Sequence, residues 1–420
     1  MKKILCLALL ITSMAHGNSK SKTKTVTLDS LLKEVSTTSY QNELYLIKQQ
    51  NNKTKEKYYK MDTWNGVETS VTSKYSDKED AWETTGRASI GVFYVEGTKD
   101  YDNDDYATIG AEKSVKDLIY SKSKSQLKRL DMNKEVDKIS YMQDLETQKI
   151  NLITLYKEYK TTELELKIKQ SGIKRLNTEV NKLQTSYNLG AIPEIELKTA
   201  RTSLNNLSLE SKVLKDNLDK IRQRFMYDFN INLTNTTLAE ISPKKVNFEE
   251  LVKKYGKKEL NKQHLEKEIT RENVNYLKYD DKMPEIKLGV ERNTKTDDNR
   301  VVLSFSKKFL GTNLELEDEK ASLQEKEIKY RQATLDNESE KLKIYNTYYN
   351  YQKDYETNNN KANLEKQKYD IKLMEYSTGS ITYLDVMESF DDYLEYQVAA
   401  EKAKNNLYGY IYELIIRGEI

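Results

Sequence analysis

Cysteine is almost missing from this chain: Cys6 is the only one in 420 residues, so no internal disulfide and no thiolate metal site can form. Histidine is nearly as scarce, with His16 and His264 the two present. A nucleophile–histidine triad would have to rest on His264, which lies in a Lys- and Glu-rich stretch and reads as a solvated surface group. There is no phosphate-cradling Gly-rich loop and no zinc-ligand spacing. Paired carboxylates such as Glu249-Glu250 read as helix-surface charges. No enzymatic reaction, cofactor or metal is expected. Three prolines and fourteen glycines are far below average usage, which favours long helices over a compact mixed fold. Neither sign of charge is in excess: 69 basic and 67 acidic side chains leave +2, no footprint for nucleic acid. Long apolar runs are missing too. Past the first residues nothing approaches the roughly 20 apolar residues of a spanning helix, so a membrane could be crossed only by strands.

What is present starts with an export signal over residues 1–17. Lys2 and Lys3 form a basic start, Ile4 to Met14 an apolar stretch too short to span, and Ala15-His16-Gly17 offers small residues around a cleavage point. Cys6 lies inside this signal without the preceding small residues of a lipoprotein signal, so the mature chain is expected to be cysteine-free. Charged residues make up 32% and apolar residues 37%, with a mean hydropathy of −0.83. That balance argues against an ordinary globule.

An internal repeat organises the rest. Ser186-Tyr187-Asn188-Leu189-Gly190-Ala191-Ile192 parallels Glu375-Tyr376-Ser377-Thr378-Gly379-Ser380-Ile381, and the match continues from Ile195, Glu196 and Leu197 to Leu384, Asp385 and Val386. The flanks carry heptads. Leu145, Leu152, Tyr159, Leu166, Ile173, Val180 and Tyr187 recur at sevens, and Leu197, Leu204, Leu218 and Phe225 follow the glycine with one lapse at Ser211. In the second copy Ala321, Ile328, Leu335, Leu342 and Tyr349 keep the spacing, then Tyr355, Ala362, Tyr369 and Tyr376, then Val386, Tyr393, Ala400, Leu407 and Leu414. A strict period of seven means left-handed coiled-coil packing. Each half therefore holds a long helix, a sharp turn and a returning helix. Gly190 and Gly379 sit where a helix end wants a left-handed residue. The first long helix, from about Asp117 to Leu189, would be roughly 105 Å long.

Between the hairpins lie strand-like runs. In the first half, Asn65 to Ser76, Gly86 to Gly97 and Tyr106 to Val115 are rich in Thr, Ser, Val and aromatics. In the second, Glu285 to Asn293 and Arg300 to Phe309 flank a turn, with Ile286, Leu288, Val290 and Val301, Leu303, Phe305 alternating with polar or small residues. Trp64 and Trp82, with Tyr75, Phe93, Tyr94, Tyr101 and Tyr106, suit a membrane interface. Three runs are one too many for an up-and-down hairpin. Trp64–Ser76 and Tyr106–Val115 are taken as the membrane pair, and Gly86–Gly97 as an enlarged external loop. Helices from Val26 to about Lys60 and from Asn247 to about Asp280 lead into the strand regions. The first repeat is placed at 18–242, with strands at about 64–116 and a tip at 190. The second is placed at 243–420, with a hairpin at about 284–309 and a tip at 379.

At these residues the chain resembles the TolC-type outer-membrane efflux family. Tyr376-Ser377-Thr378-Gly379, with Ser380 through Leu384 and the ending Asp385-Val386-Met387-Glu388, is similar to that family's second helical turn. The resemblance covers essentially the mature chain. It implies a mainly α fold with membrane β: a long coiled-coil α-helical barrel in the periplasm joined to a transmembrane β-barrel shared by a homotrimer, each protomer giving four strands. Four strands cannot enclose a lumen, and lipid forbids an open edge. The resemblance also implies that Gly190 and Gly379 form tips contacting a periplasmic adaptor protein, with an inner-membrane transporter supplying energy. Asp385 and Glu388 would form acidic rings at the periplasmic entrance, and Tyr376 and Glu196 would help lock it. The family's arginine two residues after the second glycine is replaced by Ile381, so the lock departs from the pattern. The function so implied is a channel across the outer membrane for small molecules or proteins. A second reading, an exported structural coiled coil such as a periplasmic spacer or surface fibre, explains the heptads and the signal but not strand segments recurring at the same place in each half.

Overall fold

A computed structural model describes residues 24–62, 66–100, 105–307, 311 and 313–418. The export signal, Trp64 and Tyr101 lie outside the described residues. The described chain forms two compact units. One joins the segment through Lys33 to Glu158–Ser242; the other joins Glu34–Lys157 to the chain from Pro243 onward.

In the smaller unit, β1 (Lys24–Val26), the first described residues, pairs in parallel with β6 (Thr236–Leu238) in the segment that links the two helical hairpins. The second part of α4 (Lys122–Asn188) packs against α5 (Glu194–Phe229). Their shared core holds Tyr159, Leu176, Val180 and Leu183 with Leu197, Ala200, Leu207, Leu218, Ile221 and Phe225, all buried. These are largely the heptad positions, as burying one stripe of an otherwise charged helix requires. Lys160 is buried beside them. Its ammonium reaches Glu163 (2.7 Å), Glu240 (2.9 Å) and the Leu238 carbonyl (3.1 Å), so the charge is fully paired and β6 is tied to α4.

The larger unit holds the sheet, the first part of α4 and the other helices, except that α1 (Leu28–Thr38) up to Lys33 belongs to the smaller unit. The helix expected from Val26 to about Lys60 is broken at Ser39 into α1 and α2 (Tyr40–Asp62). After the sheet strands, α3 (Val115–Tyr120) is separated from α4 by Ser121, whose hydroxyl accepts from the Lys124 amide (3.1 Å) as a helix cap. The second leading helix is likewise split, into α6 (Phe248–Lys254) and α7 (Lys257–Lys282), at Gly256 with φ +74°. Then α8 (Leu314–Ser377) runs 64 residues, about 96 Å at the helical rise, and α9 (Tyr383–Gly418) returns along it. Tyrosines take leucine's place in much of this contact. Tyr351 meets Tyr410 (5.3 Å), Tyr355 meets Tyr408 (6.3 Å), and Tyr369 lies against Phe390 (5.3 Å) and stacks on Tyr393 (6.0 Å).

The strands correct the sequence reading. Four strands, not two, come from the first half: β2 (Val67–Ser76), β3 (Ala81–Ile90), β4 (Phe93–Lys99) and β5 (Asp105–Ser114). With β7 (Glu285–Asn293) and β8 (Asp298–Ser306) they make one antiparallel sheet in the order β2-β3-β4-β5-β7-β8. The run Gly86–Gly97 is no external loop. It folds on itself at Gly91-Val92, with Gly91 at φ +63°, and Gly86 pairs directly with Gly97. The protomer thus contributes six strands where four were expected.

Candidate functional site

The register sorts every strand residue onto one of two faces. Val67 pairs with Ile90, Ile90 with Phe93, Phe93 with Ala111, Ala111 with Val290, and Val290 with Val301. Residues an even number of positions from this line share its face. That face carries Val71, Trp82, Val95, Ile109, Leu288, Leu303 and Phe305, all exposed; Val71 is 76% and Leu303 70% accessible. An apolar face in contact with nothing is costly in water and favourable in lipid. From Val67 to Tyr75 the strand rises about 26 Å, close to the ~25 Å apolar band of a membrane barrel. At the outer end Tyr75 and Trp82 lie 5.3 Å apart, and the Tyr75 hydroxyl donates to Asp80 (2.6 Å). The Trp82 ring is exposed on the apolar face, beside the polar turn that joins β2 and β3.

The other face is polar. Arg87 bridges Glu112 (3.0 Å) and Glu96 (3.7 Å), and its guanidinium lies 3.9 Å from the centre of the Tyr94 ring. Lys287 also approaches Glu112 (3.8 Å), and the Tyr94 hydroxyl donates to Glu291 (2.9 Å). Tyr94 lies over Gly110, where an added Cβ would come within 2.5 Å of the ring. This cluster was not foreseen. Its only sequence signal was charge alternating with small residues across β3, β4 and β5.

The strands are also staggered. On the outer side of the Val67–Val301 line β2 extends about nine residues, whereas β8 extends about three there and five on the other side. That is a shift of roughly one residue per strand, or a strand tilt of about 35°, the value of a membrane barrel wall. No described helix is long and apolar enough to cross a membrane. Among the described residues no group of three His, Cys, Asp or Glu side chains is placed to hold a metal ion.

The two hairpin turns have one geometry. Gly190 (φ +71°) donates to the Tyr187 carbonyl (2.9 Å), and Ala191 to Ser186 (2.8 Å). Gly379 (φ +77°) donates to Tyr376 (3.0 Å), and Ser380 to Glu375 (2.9 Å). Both are Schellman ends. An added Cβ would meet nothing within 4 Å at either glycine, so each tip is open on its outer side. Gly190→Val and Gly379→Val should each cost ~1–2 kcal/mol from the left-handed backbone alone. Faster amide exchange confined to the substituted tip is the expected readout.

Asp385 and Glu388 lie one turn apart at the start of α9, the first half-buried and the second exposed. Asp385 is occupied locally. Its carboxylate accepts from the Thr382 hydroxyl (2.7 Å) and the Thr382 amide (3.0 Å), which ties the first turn of α9 back to the residue before it. The Thr382 hydroxyl, then the amide, hold the Asp385 carboxyl below its ordinary range. A depressed carboxyl stabilises the turn at neutral pH, and that contribution is lost as pH falls through the folded-state pKa. Thr382→Val should bring the Asp385 titration back up toward an ordinary aspartate, measured by NMR against pH. Tyr376 packs its ring 5.5 Å from Tyr383 across the same turn. Glu196 belongs to the other hairpin, in the smaller unit.

No family model matches the sequence, and no curated protein sequence matches it. Solved structures do match the fold. The outer membrane protein VceC of Vibrio cholerae aligns with a TM-score of 0.69 at 12% identity, over 93% of this chain and 95% of that one. The outer-membrane channel OprN aligns at 0.68 and 13%, over 93% and 89%. The CmeC outer membrane channel of Campylobacter jejuni aligns at 0.67 and 11%, over 93% and 85%.

Proposed function

We propose that this chain, which has the fold of outer-membrane channels, is itself the channel subunit of a tripartite efflux or secretion system. Three copies would form a duct through the periplasm and outer membrane for export of small molecules or proteins. The observation that carries this reading is the sheet of the larger unit. One face is apolar over the height of a membrane, the other is charged, and both edges are open. Such a sheet is stable in lipid only when closed by other strands around water. The tips at Gly190 and Gly379 are the surfaces offered to a periplasmic adaptor, since bare glycine turns admit close approach of another backbone. An inner-membrane transporter would drive the flow.

The first test is conductance. Protein extracted from outer membranes with detergent should form ion-conducting pores in planar bilayers. A protein extracted without detergent, and silent in bilayers, would instead favour a periplasmic spacer or surface fibre. Asp385→Ala with Glu388→Ala should reduce cation preference, because a ring of carboxylates near a constriction attracts cations. Unchanged reversal potentials would leave Asp385 with only its local role at Thr382. Cross-linkers placed at the two tips should capture an adaptor.

A further inference from the structure

Next to the sheet, α2 packs along α4. Tyr45 stacks on Tyr141 (4.4 Å), Asn52 donates to Asp137 (2.8 Å) and Glu56 accepts from Lys134 (2.8 Å). To one side of this contact each helix shows a polar stripe. On α4 it is Lys122, Gln126, Arg129 and Asn133, spaced to fall on one helix face; on α2 it is Lys48, Asn52 and Lys55. Where the stripes meet there is a cavity of about 380 Å³, bordered by Asn52, Lys55, Gln126, Arg129, Asn133 and Asp137. That volume suits a small molecule. The stripes carry four cations, and Asp137 is the one carboxylate at the cavity. It is already engaged, by Asn52 and by Lys48 at 3.8 Å. Lys55, Lys122 and Arg129 have no carboxylate in ion-pair contact among the described residues. The Nε of Arg129 is buried without a hydrogen-bond partner, a costly state for a guanidinium donor.

The sheet fixes the side of the wall on which these stripes lie. Gly91 donates to the Gly66 carbonyl (2.8 Å), so Gly66 and Glu68 turn their backbone groups toward β3 and Val67 turns its own away. For L-residues in a strand running away from the helices, β3 then lies to the left of β2 as seen from the apolar face, and β5 and β7 follow further left. The helices keep that order: α4 meets α2 through Lys134 and Asp137, and α7 through Gln143 and Glu146. On right-handed α4, running away from the sheet, Arg129 falls between those two directions on the side of the sheet's charged face.

We propose that this cavity is a binding station for anionic solutes inside the duct. Arg129 would grip a carboxylate or phosphate group by two oxygens, with charge added by Lys55 and further donors by Gln126 and Asn133. The source of the anion rests on the channel reading; the recognition chemistry rests on the residues themselves. A lipid headgroup offers the same phosphate oxygens, but the lipid lies against the other face of the sheet. Repeated in each copy, the cations would form a belt that favours anions in the lumen.

Inorganic phosphate is the probe. In planar bilayers of phosphatidylcholine it should block the chloride current, and Arg129→Gln should raise the half-blocking concentration about tenfold. Lys55→Gln, exposed on the neighbouring helix, should raise it less. Arg129→Lys should fall between wild type and Arg129→Gln, since it keeps the charge without the fork. Lys138→Gln removes an exposed charge from the opposite side of α4 and should change nothing. Pores blocked equally in wild type and Arg129→Gln overturn the station alone, and a loss in Lys138→Gln as large as in Arg129→Gln overturns it in favour of diffuse charge. Phosphatidylglycerol that co-purifies with wild type and is missing from Arg129→Gln assigns the cavity to a headgroup and overturns the solute source. If wild type forms no pores, the channel reading fails. The ³¹P line width of phosphate with the detergent-extracted protein then decides the site: Arg129-dependent broadening upholds it, and none overturns it.

Discussion

Leu288→Arg should keep the protein from assembling in the membrane, while Ser304→Arg should be tolerated. Leu288 pairs with Leu303 on the apolar face near the middle of β7, and both side chains are exposed. A basic residue at mid-bilayer depth on a lipid-facing position costs about 2–4 kcal/mol. Adding Leu303→Arg places two such charges side by side and should roughly double the effect. Ser304 is the next residue along β8 but points to the charged face, opposite Lys287, where water is available. The readout is the fraction recovered in the detergent-extracted outer-membrane pool. Equal recovery of both variants would contradict a lipid-facing sheet, because only the face differs between them.

The second large effect lies in the smaller unit. Phe225→Ala should cost about 3–5 kcal/mol. Phe225 is fully buried, and its ring meets Tyr159 edge-on at 6.2 Å with planes 86° apart. That geometry adds to the loss beyond the area buried. The hairpin of α4 and α5 that carries Gly190 depends on this stripe. Thermal unfolding should move down by several degrees, with early loss of helix in this unit. Tyr227→Ala, two residues on and 82% exposed, should leave the midpoint within the scatter of ordinary surface changes. A similar loss in both variants would show that the stripe is not what holds the hairpin.

The helical hairpins were legible because their signals are local. Heptads from Leu152 to Val180 and from Val386 to Leu414 mark the buried stripe, and the two glycines adopt the left-handed turns that their position after a helix implies. The strands were half legible. β7 and β8 alternate cleanly and appear where expected. β3 did not read as a strand, because Glu83, Thr84, Thr85, Gly86 and Arg87 give no run of large apolar residues. The turn at Gly91-Val92 lacks the Asn-Gly or Asp-Gly pair that announces a two-residue hairpin, so two strands looked like one run. Asp385 was legible as an acid near the second tip, but its bond to Thr382 follows from how α9 begins.

By itself the sequence determined the kind of molecule: long heptad helices, two glycine tips and alternating strands. Each of those properties is written within one or two turns of a single element. Only the tertiary structure decided that the sheet has six strands, which face is apolar, how far each strand is shifted against the next, and that Ile328, Leu335 and Leu342 stand bare. Those facts depend on which residues meet across the fold, and a strand's neighbours and a stripe's cover are set by contacts distant in the chain that no local period encodes.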